Sequence, residues 1–135
     1  MRWAHAGHTV VIGSRDPEKA QRAADELNLA LGGAAVQGAS NTSAAAGADV
    51  VVLTVPYAAH KDTLVSVKDA LAGKVVIDVT VPINTADFLR VLVPAGGSAS
   101  KEAPALPDNG ARAVPAFQNI SATHLKNPHP ALDAD

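Results

Sequence analysis

A chain of 135 residues with Lys+Arg 11 against Asp+Glu 13 has a formal charge of −2, which suits one domain with a real core and excludes a strongly basic nucleic-acid platform. No apolar stretch approaches the roughly 18–20 residues of a membrane span, and no secretory pattern marks the N-terminus. The absence of cysteine excludes disulfides and thiolate zinc sites, so a cytoplasmic protein without membrane partners is expected.

Hydrophobic residues reach 47% while aromatics are only 3%, so Ala, Val and Leu must fill the core, as suits thin helices lying close on a parallel sheet. Met1 to Ala6 reads as the last turns of a helix, with Gly7 as its C′ residue, and such a short helix should fray. Thr9 to Ile12 is then a β-branched, continuously apolar run, the pattern of a parallel strand covered on both faces. Asp16 is a good N-cap, Pro17 suits the first helical position, and Ala20, Ala23, Ala24, Leu27 and Leu31 recur at helical spacing until Gly32-Gly33. Ala35 to Ala39 reads as a short strand, and Asn41 as the cap of an Ala-rich helix ending at Gly47. Asp49 to Thr54 is the second strong strand. Leu64, Val67 and Leu71 form the next helical stripe, closed by Gly73, before the third strand at Lys74 to Val79. The stretch from Pro94 to Gly110 is irregular, with Ser98 able to cap a helix that Pro104 must stop. A last strand is expected over Ala113 to Phe117, and the segment 123–135 as an irregular or disordered tail. Alternating strands and helices of this kind imply βαβ crossovers and a doubly wound α/β sheet.

In such a sheet, ligands sit outside the carboxyl ends of the strands. Ser14 and Arg15 follow the first apolar run and offer a hydroxyl and a guanidinium, with Lys19 one turn into the helix. An acid at this place would favour the 2′-hydroxyl of NAD, whereas this set suits the 2′-phosphate of NADP. Ordinary loop residues before a capped helix are the competing explanation. Two other strand ends carry Val-Pro turns, Thr54-Val55-Pro56-Tyr57 and Thr80-Val81-Pro82-Ile83, where proline removes a donor and lets small side chains meet a flat ring. Proline as a plain strand terminator explains either turn alone. His60 faces a cleft or solvent in this reading, His5 and His8 read as surface residues, and His124 and His129 with Asp133 and Asp135 as tail residues rather than a metal site. No Gly-x-Gly-x-x-Gly occurs, and Gly96-Gly97-Ser98 reads as a turn into a cap.

Trp3 to Arg15 followed by Lys19 resembles the second-strand region of the NADPH-dependent coenzyme F-420 (F420) reductases. Leu53-Thr54-Val55-Pro56-Tyr57, Val79-Thr80-Val81-Pro82 and Ala116 to Ala122 resemble later segments of that family, in order. The resemblance implies a Rossmann-like NADP-binding fold over residues 1–122, here without the family's first strand and Gly-rich turn. It also implies that Ser14, Arg15 and Lys19 hold the 2′-phosphate, and that Val55, Pro56, Tyr57 and Ala122 line the nicotinamide and deazaflavin side. The implied cofactors are NADP(H) and F420, and the implied chemistry is hydride transfer between them, which asks for no catalytic acid or base.

Three readings stay open: an NADP(H)-binding oxidoreductase or a fragment of one, a catalytically silent remnant serving as a partner-binding module, and another NADPH-dependent reductase acting on imines or ketones. The missing Gly-rich turn discriminates them, since each backbone donor lost to a pyrophosphate is worth about 1–1.5 kcal/mol. In the strand order 3-2-1-4-5-6, the absent strand would lie between Thr9–Ile12 and Asp49–Thr54. These two are therefore expected to pair directly, Val11 with Val51, or to accept a strand from a second copy in a homo-oligomer, or to leave the chain unstable.

Overall fold

The computed structural model describes residues 2–33, 35–82 and 110–120. Ser98, Pro104, the Gly96-Gly97 turn, Ala122 and the tail lie outside the described residues. Two compact units emerge, one holding residues up to Ser40 together with Asn119 and Ile120, the other running from Asn41 to Gln118.

The first unit opens with α1 (Arg2–His5). Gly7 at φ 87 closes it, and the bonds from His8 N to Trp3 O at 3.0 Å and from Gly7 N to Ala4 O at 3.1 Å form a Schellman stop around the expected C′ glycine. β1 (Val10–Ser14), α2 (Pro17–Leu31) and β2 (Val36–Ser40) then make one βαβ turn, with β1 and β2 parallel. Asp16 caps α2 as expected, its Oδ1 accepting from Glu18 N at 3.0 Å and Lys19 N at 3.2 Å. Gly32, at φ 68, ends the helix by a second Schellman pair onto Asn28 O and Leu29 O.

α2 lies very close on the sheet because its inner face is Ala20 and Ala24, both buried, and because β2 offers Gly38 beneath it. A Cβ at Gly38 would stand 2.3 Å from Gln21 N and 2.4 Å from the Ala20 carbonyl carbon, so only glycine fits. The helix also closes the outer edge of β2. Val36 N donates to Asn28 Oδ1 at 2.9 Å, Asn28 Nδ2 donates to Val36 O at 2.8 Å, and Gly38 N reaches Gln21 Oε1 at 3.3 Å. Backbone groups that another strand would satisfy are satisfied by side chains instead.

The second unit is α3 (Asn41–Gly47), β3 (Val50–Leu53), α4 (Tyr57–Val67) with a 3-10 turn over Lys68–Leu71, β4 (Val75–Asp78) and β5 (Arg112–Pro115). Its sheet is parallel in the order β3-β4-β5. Leu53, Leu64, Val67, Leu71, Val76 and Ala45 form the core, so the stripe expected from Leu64, Val67 and Leu71 is the buried one. Lys74 Nζ donates to Ala45 O at 2.6 Å and to Ala46 O at 2.7 Å, placing a cation on the last carbonyls of α3.

Val11 pairs with Gln37 and Val51 with Val76, each strand taking the parallel neighbour that its own crossover helix delivers. Three expectations need correction. Asn41 is the first helical residue of α3 rather than its cap. β5 starts at Arg112 and ends at Pro115, earlier than expected, because Phe117 turns to φ 65 and breaks the extended run. Finally, β5 is exposed along its length and Val50 of β3 is 49% exposed, whereas Val76 and Asp78 of β4 are buried. Cover on both faces holds best for β4, the strand paired on both sides.

Candidate cofactor site

The first set of site residues stands where β1 runs out into α2. Ser14 is the last residue of β1, half-buried, and its Oγ accepts from Asp16 N at 3.1 Å. That bond uses an oxygen lone pair and leaves the hydroxyl proton for another acceptor. Arg15 and Lys19 are exposed, and among the described residues neither side chain has an ion-pair partner. The two nearest acids are turned elsewhere: Asp16 onto the helix N–H groups, and Glu18 toward Arg22 at 3.8 Å. The result is a hydroxyl and two cations around the start of a 15-residue helix, which suits a dianion.

The second set lies at the carboxyl ends of β3 and β4. The chain leaves Leu53 through Thr54 and Val55 into Pro56, whose φ of −57 and ψ of 147 precede the first turn of α4. Val55 packs against the core, Pro56 is exposed, and half-buried Tyr57 opens the helix. Thr80 Oγ1 lies 3.5 Å from Val55 O, so the two Val-Pro turns touch.

Between them sits a residue that sequence reasoning passed over. Asp78 ends β4 and is only 4% exposed. Its Oδ2 lies 2.8 Å from His60 Nε2, and its Oδ1 accepts from Thr80 N at 2.9 Å. Its carbonyl oxygen accepts from Ala116 N at 3.1 Å and from Gln118 Nε2 at 3.0 Å. One residue thereby binds α4, the turn after β4 and the segment after β5. His60 is 3% exposed and faces neither cleft nor solvent, which corrects the expectation, because the buried carboxylate requires its N–H. An acid closing a wholly β-branched strand, with a histidine in the first turn of the preceding helix, was the available signal.

Ser14, Arg15 and Lys19 thus lie in the first unit around the start of α2, and Val55, Pro56 and Tyr57 in the second at the start of α4, while Ala122 lies outside the described residues. Among the described residues no group of three acidic or histidine side chains could hold a metal, and no helix is long and apolar enough to cross a membrane.

Residues 1–82 match the family model described as NADP oxidoreductase, coenzyme F420-dependent. The chain belongs to this family. An F420-dependent NADP reductase of Methanothermobacter thermautotrophicus is 44% identical over 142 aligned residues, covering 100% of the chain and 61% of that reductase. Its counterpart from Methanothermobacter marburgensis is 45% identical, with 100% and 63% covered. A crystal structure from Arthrobacter sp. FB24, of a protein proposed to be an F420-dependent NADP reductase, superposes with a TM-score of 0.73 at 26% identity, covering 93% of the chain and 59% of that structure. The chain therefore has the Rossmann-like α/β fold of this family and spans about three-fifths of the length of these relatives.

Proposed function

We propose that this member of the F420-dependent NADP oxidoreductase family binds NADP(H) and serves hydride exchange between it and the deazaflavin F420. The observation that carries the proposal is the set of Ser14, Arg15 and Lys19 around the capped start of α2. Its donors fit a 2′-phosphate: one hydroxyl proton and two cations lie at a helix N-terminus whose neighbouring carboxylates are turned away. Val55 and Pro56 offer an apolar turn without a proline N–H, and Tyr57 adds a ring beside it, a surface suited to a flat heteroaromatic group.

When bound, the cofactors would supply the chemistry, a hydride passing between nicotinamide and deazaflavin with one proton exchanged with water. The chain's own residues have other tasks. Arg15 and Lys19 attract and neutralise the phosphate, Ser14 fixes its direction, and the Val-Pro-Tyr turn excludes water from one side of a ring. The relatives' names support this reading over an imine or ketone reductase.

Calorimetric titration of the full chain with 2′,5′-ADP and with 5′-AMP tests it. Tighter binding of the 2′-phosphorylated nucleotide by about tenfold or more is expected from one or two charge-assisted contacts. Equal affinities would remove the basis of the proposal. Oxidation of NADPH by F420, with no response to simple ketones, is the expected activity.

A further inference from the structure

The start of α2 carries two acids beside its cations, and both bear on what Arg15 and Lys19 are free to bind. Asp16 Oδ1 already accepts from Glu18 N at 3.0 Å and Lys19 N at 3.2 Å. Those helix N–H groups are taken, so discrimination of an anion there falls to the side chains. Glu18, the second residue of the helix, is exposed. Two cations stand near it in the chain, Arg15 three residues before and Arg22 four residues after, one helical turn on. Lys19, the next residue, does not face it. Glu18 turns to Arg22, with Oε2 3.8 Å from Nη1, and Arg15 has no ion-pair partner among the described residues. An acid followed four residues later by a cation is the favourable order on a helix. As a bond that holds the helix this pair counts for little, since its side chains are 63% and 88% exposed. It matters for where it puts a negative charge.

We propose that Arg22 is a positioning residue for nucleotide selectivity: by drawing Glu18 along the helix, it keeps that carboxylate from pairing with Arg15 and from facing the 2′-phosphate. The proposal rests on the NADP(H) reading above. It adds a residue that touches no nucleotide and acts only through Glu18. Without Arg22, Glu18 has Arg15 as its remaining partner at this end of the helix. A dianion arriving there then meets a guanidinium already engaged and a like charge beside it. A purely structural role would alter the binding of every nucleotide alike, whereas this role alters only the response to the 2′-phosphate.

Calorimetric titration of full-length variants with 2′,5′-ADP and with 5′-AMP tests it. An ionic strength of about 0.15 M gives a Debye length of about 8 Å, shorter than the roughly 10 Å that seven residues of helix rise. A direct pull of Arg22 on an anion beside Arg15 is then largely screened. Glu18 and Arg22 are exposed, so their substitution should leave the fold intact. Arg22→Ala should weaken 2′,5′-ADP about twofold to fivefold, the effect of one exposed charge near a dianion, and leave 5′-AMP unchanged. Arg22→Lys keeps a cation four residues after Glu18 and should recover the loss. In a Glu18→Gln background, with no carboxylate to draw away, Arg22→Ala should leave 2′,5′-ADP affinity unchanged within error. An equal loss in both backgrounds means that Arg22 attracts the phosphate itself, and overturns the proposal. An unchanged affinity in Arg22→Ala overturns it too, as does a loss shared by 5′-AMP or one that lysine does not recover. Each of these results leaves the NADP(H) reading standing as long as wild-type chain prefers 2′,5′-ADP. Wild-type chain without that preference overturns the reading, and this proposal with it.

Discussion

At the end of β1, Arg15 and Lys19 stand in solvent around a helix start, and the polar groups of Ser14, Asp16 and Glu18 are tied by local contacts spanning two to four residues. At the end of β4, Asp78 is buried and receives donors from His60, Thr80, Ala116 and Gln118, as far as 40 residues away in sequence. The difference matches what the proposed function asks of each place. A phosphate is found by charge at a distance and tolerates mobile partners, since a lysine or arginine can follow it. A flat ring with at most a delocalised charge gives much less pull, so a surface that already has its shape helps to bind it. The proposed function thus places stability mainly at the second place and selectivity between nucleotides at the first.

The sharpest break of that contrast is Asp78→Ala. It strands the His60 and Thr80 donors in a buried position and should cost about 3–5 kcal/mol, read by urea unfolding of the full chain. A loss below about 1 kcal/mol, the size of an ordinary exposed hydrogen bond, would mean the two bonds of the Asp78 carboxylate carry no weight. Next in size is Gly38→Ala, whose new methyl meets backbone rather than a yielding side chain and should destabilise by about 2–3 kcal/mol. At the exposed place, Arg15→Ala should leave unfolding within about 0.5 kcal/mol of wild type. The same change should narrow the preference for NADPH over NADH by about tenfold, measured by titration with both nucleotides. An unchanged preference would take the 2′-phosphate away from Arg15. The smallest effect belongs to Asp16→Ala, a lost N-cap worth about 1 kcal/mol in stability with the NADPH preference retained.

The same division decides what the sequence reveals. The caps at Asp16, Gly7 and Gly32 were legible because their bonds reach no further than five residues, and β1, β3 and β4 because apolar β-branched runs have few other uses. The position of Ser14, Arg15 and Lys19 around a helix start was legible for the same reason, since it depends on local spacing alone. Asp78 was not, since its partner His60 lies 18 residues away and each looks ordinary by itself. Nor was the bend at Phe117, which accompanies the bond between Gln118 and Asp78 and shortens β5 by placing a bulky residue at positive φ. Such a conformation persists only where surrounding bonds over-determine it.

Asn28 shows how much one carboxamide can do for the fate of the whole molecule in a crowded solution. By giving Val36 both a donor and an acceptor, it imitates a single residue of a neighbouring strand. A strand from another molecule approaching β2 meets hydrogen bonds that are already made, so growth of a cross-β fibre from that edge is discouraged at its most regular point. Aspartate at this position would keep the acceptor and lose the donor, and leucine would lose both. Resistance to aggregation here thus depends on the chemistry of the side-chain terminus, and a survey of tolerated substitutions should find position 28 restrictive although it lies on no ligand surface described above.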